Sequence, residues 1–333
     1  MKRSTDRVLA THVGSLIRPR SLQEFLRSKQ AGKAYDEDAY QKCLTASVAD
    51  VVREQTQAGI DVVSDGEFGK SISWAQYALE RLSGFERRPI RQDTANPFKR
   101  GADCTKFSEF YAELDVKEAV ATTTEAICVG PIKYTGQAEL QRDIDNSKGA
   151  LKVVKAEEAF LPVAAPASVI PDRKNEYYKS DGELQAAIAE AMRTEYKMIV
   201  DSGFLLQLDD ARSAVTFTVW CRPQVLSINH AIEGLPADRI RYHVCWGSWP
   251  GPHTSDVPLR DIVDLILKVK VGAYVIEGAN PRHEHEWQVW TRSWDPGRCL
   301  FLASSATRPT WSSIANWSPN ASYGWPKLSG ERT

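Results

Sequence analysis

Three segments of the chain repeat one pattern, in which an amphipathic helix, a glycine, a short apolar strand and an acidic residue follow one another. This order is typical of parallel βα architecture, where each acid lies at the carboxyl end of its strand. In a TIM barrel that end is the active face. A doubly wound sheet is the alternative, but no glycine-rich turn follows the first strand to hold a dinucleotide. The sequence therefore predicts an α/β protein with a TIM (β/α)8-type barrel. The helices are predicted at 36–59, 184–201 and 258–271, and the acids are Glu67, Asp209 and Glu277.

A candidate metal site follows from the last repeat. His243 and Cys245 lie two residues apart on a predicted strand, so alternation points both side chains to one face. Glu277 ends the next strand and would lie at the same edge of a parallel sheet. Imidazole, thiolate and carboxylate are ligands of catalytic zinc, which keeps one coordination position open. Spacing alone leaves a structural role open as well, because His and Cys are also common buried residues.

Composition and charge exclude several classes of protein. The net charge of −1 over 333 residues, without basic runs, argues against nucleic acid as the main partner. No apolar run of about 18 residues and no N-terminal signal pattern are present, so we expect no membrane span and a cytoplasmic location. The six cysteines lack the spacing of a disulfide framework, which favours thiols.

The composition and periodicity of the chain change after about residue 290. The tail is rich in Ser and Trp, has no Val, and shows no sustained helical or strand periodicity. One allowed back-translation, read from the third base of the Leu302 codon, encodes an apolar strand followed by an amphipathic helix. We therefore predict a barrel domain at 1–290 with a polar excursion at 85–122, and a frameshifted tail at 291–333. This tail is expected to be disordered or non-native and to leave the barrel incomplete, since eight strands are needed for closure.

Five motifs, in chain order, resemble those of a known family: THVGSLIRP, VVSDGEFGK, LLQLDDAR, HVCWGS and VIEGANPRHEHEW. They are similar to motifs of the cobalamin-independent methionine synthase family, specifically of the shorter proteins that match its C-terminal catalytic barrel. The resemblance covers roughly residues 7–290. The superfamily includes the epoxyalkane:coenzyme M transferase. The resemblance implies a TIM barrel whose zinc ion binds a substrate thiol and prepares it for alkylation.

The resemblance also implies roles for single residues. Zinc would be held by His243, Cys245 and Glu277. The family's fourth ligand, a Cys in an Asp-Cys-Gly motif, and a proton-donating His on the seventh strand have no counterpart in the tail. The amino acid substrate would be held through its carboxylate by Gly14 and Ser15, and through its ammonium group by Glu67 and Asp209.

His283 and His285 flank the loop after Glu277 and are candidates for proton transfer or for support of the zinc ligands, with simple contact to that loop as the alternative. The function that these implications favour is a zinc-dependent methyltransferase acting on homocysteine or a similar small thiol, with methyltetrahydrofolate as a possible donor. Alkyl transfer or a lyase reaction on another thiol, such as a coenzyme M-like substrate, is the first alternative. An inactive remnant is the second. Partners are expected to be small molecules, and the oligomeric state is left open.

Overall fold

The computed structural model describes residues 1–71, 76–89, 102–117, 124–169, 174–210, 217–246, 252, 254, 256–278, 283–293, 297–303 and 314–317. In these ranges the helices are α1 (Arg20–Gln30), α2 (Glu37–Gln57), α3 (Gln76–Glu80), α4 (Ala102–Lys106), α5 (Ser108–Lys117), α6 (Gln137–Leu151), α7 (Pro166–Val169), α8 (Asp181–Asp201), α9 (Phe217–Ala231), α10 (Leu259–Ile266) and α11 (Trp287–Ser293). The strands are β1 (Ala10–Thr11), β2 (Val62–Val63), β3 (Phe85–Pro89), β4 (Thr124–Cys128), β5 (Glu158–Ala164), β6 (Lys174–Asn175), β7 (Leu205–Asp210), β8 (Ile240–Val244), β9 (Ala273–Ile276), β10 (Cys299–Ala303) and β11 (Ile314–Trp317).

The helix–glycine–strand repeats are present, and local chemistry explains their boundaries. Helix α2 begins where the Asp36 side chain accepts the backbone N–H of Ala39, and α8 begins where Ser180 accepts that of Glu183. Gly59 and Gly203 follow the two helices with φ values of +83° and +92°, which glycine adopts without a Cβ clash. The third helix, predicted over 258–271, is shorter and spans only Leu259–Ile266.

The barrel sheet closes in the order β1-β11-β10-β9-β8-β7-β5-β2. Seven of these strands run parallel, whereas β11 is antiparallel to both β10 and β1. The predicted TIM-type barrel is thereby confirmed. The eighth position is not filled by a parallel βα unit, so the parallel part of the barrel is incomplete. The sequence did not predict that the sheet closes, and two strands of the tail, β10 and β11, close it.

The tail contributes more to this sheet than we expected. Residues Cys299–Ala303 pair with β9 in parallel register, and Leu300 and Phe301 are buried. This segment was predicted as disordered or non-native, but its apolar run CLFLA can be buried on both faces of a strand. The end of the sheet therefore does not coincide with the predicted domain boundary at residue 290. Residues 304–313 and 318–333 of the tail lie outside the described part of the chain.

A small second sheet of order β3-β4-β6 is separate from the barrel sheet. In this sheet β3 pairs with β4 in antiparallel register, with Phe85 opposite Cys128. The polar excursion at 85–122 is more regular than its composition indicates, since β3, α4 and α5 all fall within it. In the part of the chain that the structure describes, no helix is both long and apolar enough to cross a membrane.

The main hydrophobic core lies between the barrel strands and the surrounding helices. Inside the barrel, smaller apolar clusters pack against Met1; they contain Val62, Phe160, Leu205, Ala273, Val275, Cys299 and Phe301. These residues fill the amino-terminal half of the barrel, so the polar residues at the carboxyl ends of β2, β7, β8 and β9 are concentrated at the opposite end. That end contains the candidate site.

Candidate active site

The loop after β1 and the turn after β2 meet at the carboxyl end of the barrel. The Ser15 hydroxyl donates a hydrogen bond of 2.6 Å to Oε1 of Glu67. Glu67 has a φ of +63°, which is uncommon for a residue with a Cβ, and its N–H is held by Oδ1 of Asp65 at 2.9 Å. A Cβ at Gly14 would lie 2.7 Å from Cγ of Pro162 and 3.1 Å from Oε1 of Glu67. The resemblance to the family places Gly14, Ser15 and Glu67 together, and the structure does so too.

A neutral histidine fixes the loop that carries Gly14. The Gly14 N–H donates to Nδ1 of His12 at 3.2 Å, so the His12 proton is on Nε2, which bonds to Gln55 at 2.8 Å. Burial lowers the pKa of His12 to about 4, which keeps the ring uncharged at neutral pH. His12 therefore positions backbone and does not exchange protons with a substrate.

Glu67 forms a buried ion pair with Lys70. The Lys70 ammonium donates to Oε2 of Glu67 at 3.1 Å and also to the carbonyl oxygen of Pro162. Both side chains are 7% exposed. Burial by itself would raise the pKa of Glu67, but the charge of Lys70, the Ser15 and Lys70 hydrogen bonds and the charge of Arg18 together hold it below its usual value. Glu67 is thus an anion that already has a cationic partner.

Asp209, at the end of β7, bonds to the candidate metal ligand His243. Its Oδ1 atom lies 3.0 Å from Nδ1 of His243 and accepts a second hydrogen bond of 2.7 Å from the Gln207 amide. Burial raises the pKa of Asp209, while the bond to His243 opposes this effect. A carboxylate on Nδ1 fixes the tautomer of His243 and leaves Nε2 as the nitrogen that can bind a metal. The sequence did not predict this pairing.

Cys245 and Glu277 follow the ends of adjacent strands. The register pairs Val244 on β8 with Ile276 on β9, so the next residues, Cys245 and Glu277, occupy equivalent positions just beyond the sheet. Both are half-buried. Within the described residues, no group of three or more His, Cys, Asp or Glu side chains converges closely enough to hold a metal ion. The three predicted ligands share one edge of the barrel without forming a closed coordination site.

His283 lies in a charged cluster beside this edge. Its Nδ1 atom is 2.7 Å from Oε2 of Glu286, and its Nε2 atom is 3.4 Å from Oδ2 of Asp256. The ring stacks on Trp246, with 4.1 Å between ring centroids. Burial alone would lower the pKa of His283, but the two carboxylates outweigh it and raise the pKa to about 9. Both ring nitrogens are therefore donors to protein carboxylates at neutral pH.

The two histidines proposed as catalytic candidates thus differ in their surroundings. His283 is buried, and its protons are held by carboxylates, which suits support of the loops more than proton transfer. His285, two residues further on, is exposed. Their proximity to Glu277 in sequence gave no indication of this difference, because it depends on contacts with residues 246 and 256 on another loop.

A buried arginine below the site was missed in the sequence. Arg241 points into the barrel from β8 and donates to Oγ1 of Thr11 at 3.2 Å and to the carbonyl of His12 at 3.0 Å. Its guanidinium lies 3.5 Å from the ring centroid of Phe160, and burial lowers its pKa to about 9. Arg241 ties β8 to β1 beneath the polar end. The one available signal was its spacing of two from His243, which puts both residues on the interior face.

The cysteines whose side chains are described are thiols and not halves of disulfides, as predicted: Cys43, Cys128, Cys245 and Cys299. Cys299 begins β10 opposite Ala273, at the amino-terminal end of the barrel and away from Glu277. Burial raises the pKa of its thiol. It is therefore not a substitute for the family's missing fourth ligand.

Comparison with known proteins gives a consistent picture. No family model matches the chain. Methionine synthase of Sulfolobus acidocaldarius is 28% identical over 263 residues, which cover 78% of this chain and 67% of that protein. Methionine synthase of Sulfurisphaera tokodaii is 26% identical over 261 residues, with 78% and 68% covered.

Two solved structures share the fold. A B12-independent methionine synthase from a Shewanella species, solved with selenomethionine, has a TM-score of 0.60 at 16% identity and covers 89% of this chain and 80% of that one. A protein described as a B12-independent methionine synthase from Listeria monocytogenes has a TM-score of 0.60 at 22% identity, with 90% and 81% covered. The sequence relatives are methionine synthases, and the chain shares the fold of B12-independent methionine synthases; both findings are consistent with a short form of that family.

Proposed function

We propose that the chain catalyses zinc-dependent transfer of a methyl group to the thiol of homocysteine or a similar small thiol. The observation that carries this proposal is the Asp209–His243 hydrogen bond at the carboxyl end of the barrel. A carboxylate on the distal nitrogen of a histidine is the usual support of a metal-binding imidazole. Cys245 follows on the same strand, and Glu277 follows the neighbouring strand at the same level.

The donor set fits zinc in its chemistry. One imidazole, one thiolate and one carboxylate are three protein ligands, and a catalytic zinc keeps a further position open for a substrate. When bound, zinc would favour the thiolate of a coordinated thiol over the protonated form. His243 would bind through Nε2, because Nδ1 is held by Asp209. The described part of the chain shows no converged three-ligand group, so the proposal requires Cys245 and Glu277 to move toward His243 when the metal binds.

The remaining residues of the site would bind and orient the acceptor. Gly14 and Ser15 border the buried Glu67–Lys70 pair, and Arg18 donates to the backbone carbonyl of Glu67 at 2.7 Å. These groups form a polar wall that can orient the end of the acceptor opposite its sulfur. Methyltetrahydrofolate is the proposed donor, as the resemblance to the family implies. The described cysteines are thiols, as a reducing cytoplasm would keep them, and we place the reaction there.

The experiment that tests the proposal compares two purified proteins. One is the chain as written, and the other is continued after residue 302 in the shifted frame. Zinc content per chain and alkylation of homocysteine are measured on both, with Cys245→Ala as the control that removes a proposed ligand. Zinc binding and thiol alkylation by the continued form alone would support both the site and the frameshift.

If the chain with its present tail binds zinc, that tail is sufficient for the zinc site to form. Because Cys299 lies at the other end of the barrel, the ligands would then still be the three proposed residues. In whichever protein binds zinc, an equal zinc content with and without Cys245 would overturn the metal-site proposal.

A further inference from the structure

The buried side-chain amide of Gln207 joins two parts of the site. Gln207 lies on β7 and is fully buried, and its Nε2 atom donates to Oδ1 of Asp209 at 2.7 Å and to the backbone carbonyl of Val13 at 2.6 Å. Asp209 bonds to the proposed metal ligand His243, and Val13 directly precedes Gly14 in the loop after β1. Gln207 thus contacts both the support of the metal ligand and the loop that would hold the acceptor.

The orientation of this amide is fixed by its neighbours. An amide nitrogen carries two N–H groups, and in Gln207 one faces a carbonyl oxygen and the other a carboxylate oxygen, both of which are acceptors. Exchanging the nitrogen and oxygen of the amide would turn an acceptor toward both of them. Both N–H groups of Gln207 are therefore committed to protein atoms.

Packing alone does not explain a glutamine at this position. Within the described residues, no group donates a hydrogen bond to the Oε1 atom of Gln207. A buried acceptor without a donor is unfavourable, and a Met side chain of similar length would avoid it. The favourable contribution of Gln207 therefore comes from the two hydrogen bonds of its nitrogen.

The bond to Asp209 limits rotation of the carboxylate. Its Oδ1 atom accepts from Gln207 and also lies 3.0 Å from Nδ1 of His243. Two donors on one oxygen hold the carboxylate in the plane that faces the imidazole, and such an outer partner sets the orientation of a metal-binding ring.

The bond to Val13 is one of two that hold consecutive carbonyls of the loop after β1. Arg241 on β8 donates to the carbonyl of His12 at 3.0 Å, and Gln207 donates to the next carbonyl. Gln207 and Arg241 are paired in the register of β7 and β8. The start of the loop is thereby fastened to the strand that carries Asp209 and to the strand that carries His243.

We propose that Gln207 is a positioning residue of the site, which sets the Asp209 carboxylate against His243 and holds the loop after β1 beside them. The inference rests on the proposed function, because it takes His243 as a zinc ligand. Since Gln207 is fully buried, it acts through Asp209 and Val13 and not by contact with the metal or the acceptor.

Gln207→Met tests this, because it keeps the length of the side chain and removes both N–H donors. Zinc affinity is measured by chelator competition on the form of the protein that binds zinc, the chain as written or the form continued after residue 302. We expect Gln207→Met to weaken zinc binding by roughly three- to tenfold, the effect of one ordinary hydrogen bond. In an Asp209→Asn background the same change should have less than about a twofold effect, because it acts through Asp209.

Hydrogen exchange of the Gly14 amide tests the second bond without metal. The Val13 carbonyl loses its donor in Gln207→Met, so exchange at Gly14 should become about two- to tenfold faster. Asp209→Asn keeps the Val13 bond and should leave this rate unchanged. Gln185→Met, at another buried glutamine on α8, is the matched control and should change neither zinc affinity nor Gly14 exchange.

A measurement on the unmodified protein does not depend on any variant folding. Zinc binding should shift the NMR resonances of the Gln207 side-chain amide, because only Asp209 separates this amide from His243, and should leave those of Gln185 in place. The link to His243 would be overturned by unshifted Gln207 resonances, by an unchanged zinc affinity in Gln207→Met, or by an effect that multiplies with that of Asp209→Asn.

Unchanged exchange at Gly14 in Gln207→Met would overturn the link to the loop. If neither unmodified form of the protein binds zinc, the proposed function is overturned, and the positioning of His243 by Gln207 with it. Zinc binding that is insensitive to Gln207 would overturn the inference alone.

Discussion

Replacement of His283 by Gln should open the loops beside the metal edge. His283 is 4% exposed and is the cation between Asp256, on the connection after β8, and Glu286, on the connection after β9. Glu286 in turn accepts the backbone N–H of Leu259 at 2.7 Å, at the start of α10. Without the imidazolium, the two carboxylates lose the cation that His283 places between them, so both connections should lose local stability.

The size of the effect follows from the pKa of His283. Its folded value of about 9 lies above the ordinary 6.5, so the charged ring stabilises the folded state. The difference corresponds to about 3 kcal/mol, present in full below pH 6.5 and lost as the pH rises through about 9. At pH 7 the substitution should therefore raise the local opening constant by roughly a hundredfold, and at pH 10 the electrostatic part of this difference should vanish.

Hydrogen exchange of the Leu259 amide reports this opening directly, because that N–H is bonded to Glu286. Rates are divided by the intrinsic rate at each pH, and the unmodified protein is compared with His283→Gln at pH 7 and pH 10. His285→Gln, in the same turn but exposed, is the control and should change protection little. The reasoning would be refuted if the two variants behaved alike, or if the effect of His283→Gln were the same at both pH values.

Three further substitutions test the site. Cys245→Ala should abolish zinc retention measured by atomic emission, whereas Cys43→Ala on α2 should not. An unchanged zinc content in the Cys245→Ala variant would show that Cys245 is not a zinc ligand. Asp209→Asn should weaken zinc binding about 10- to 100-fold in a chelator competition, and an unaltered affinity would argue against His243 as a ligand. Gly14→Ala should lower the thermal midpoint more than Gly32→Ala, although both glycines have positive φ, because an added Cβ meets a proline carbon at 2.7 Å only at Gly14. Equal thermal midpoints for the two variants would show that the structure relieves the crowding at residue 14 without a loss of stability.

The sequence by itself determined the barrel and the strand ends at which the site lies. Helical periodicity, capping residues and the glycine after each helix are local signals, so the units that end at Glu67, Asp209 and Glu277 were predicted from short windows. Alternation along one strand predicted that His243 and Cys245 point to the same face. The extent of α10 and the pairing of Cys299–Ala303 with β9 were not predicted. Both depend on which neighbours are available in space and not on local periodicity.

Only the tertiary structure determined which charged side chains pair with one another. Lys70 and Glu67 are close in sequence. Nothing in VVSDGEFGK, however, shows that both side chains turn inward and are buried together. The bond of Asp209 to His243 joins residues 34 positions apart, and that of His283 to Asp256 joins residues 27 positions apart. A hydrogen bond or ion pair needs its partners within a few ångströms and shielded from water. Chain order fixes neither condition for distant residues, whereas closure of the barrel, which brings the strand ends to one edge, fixes both.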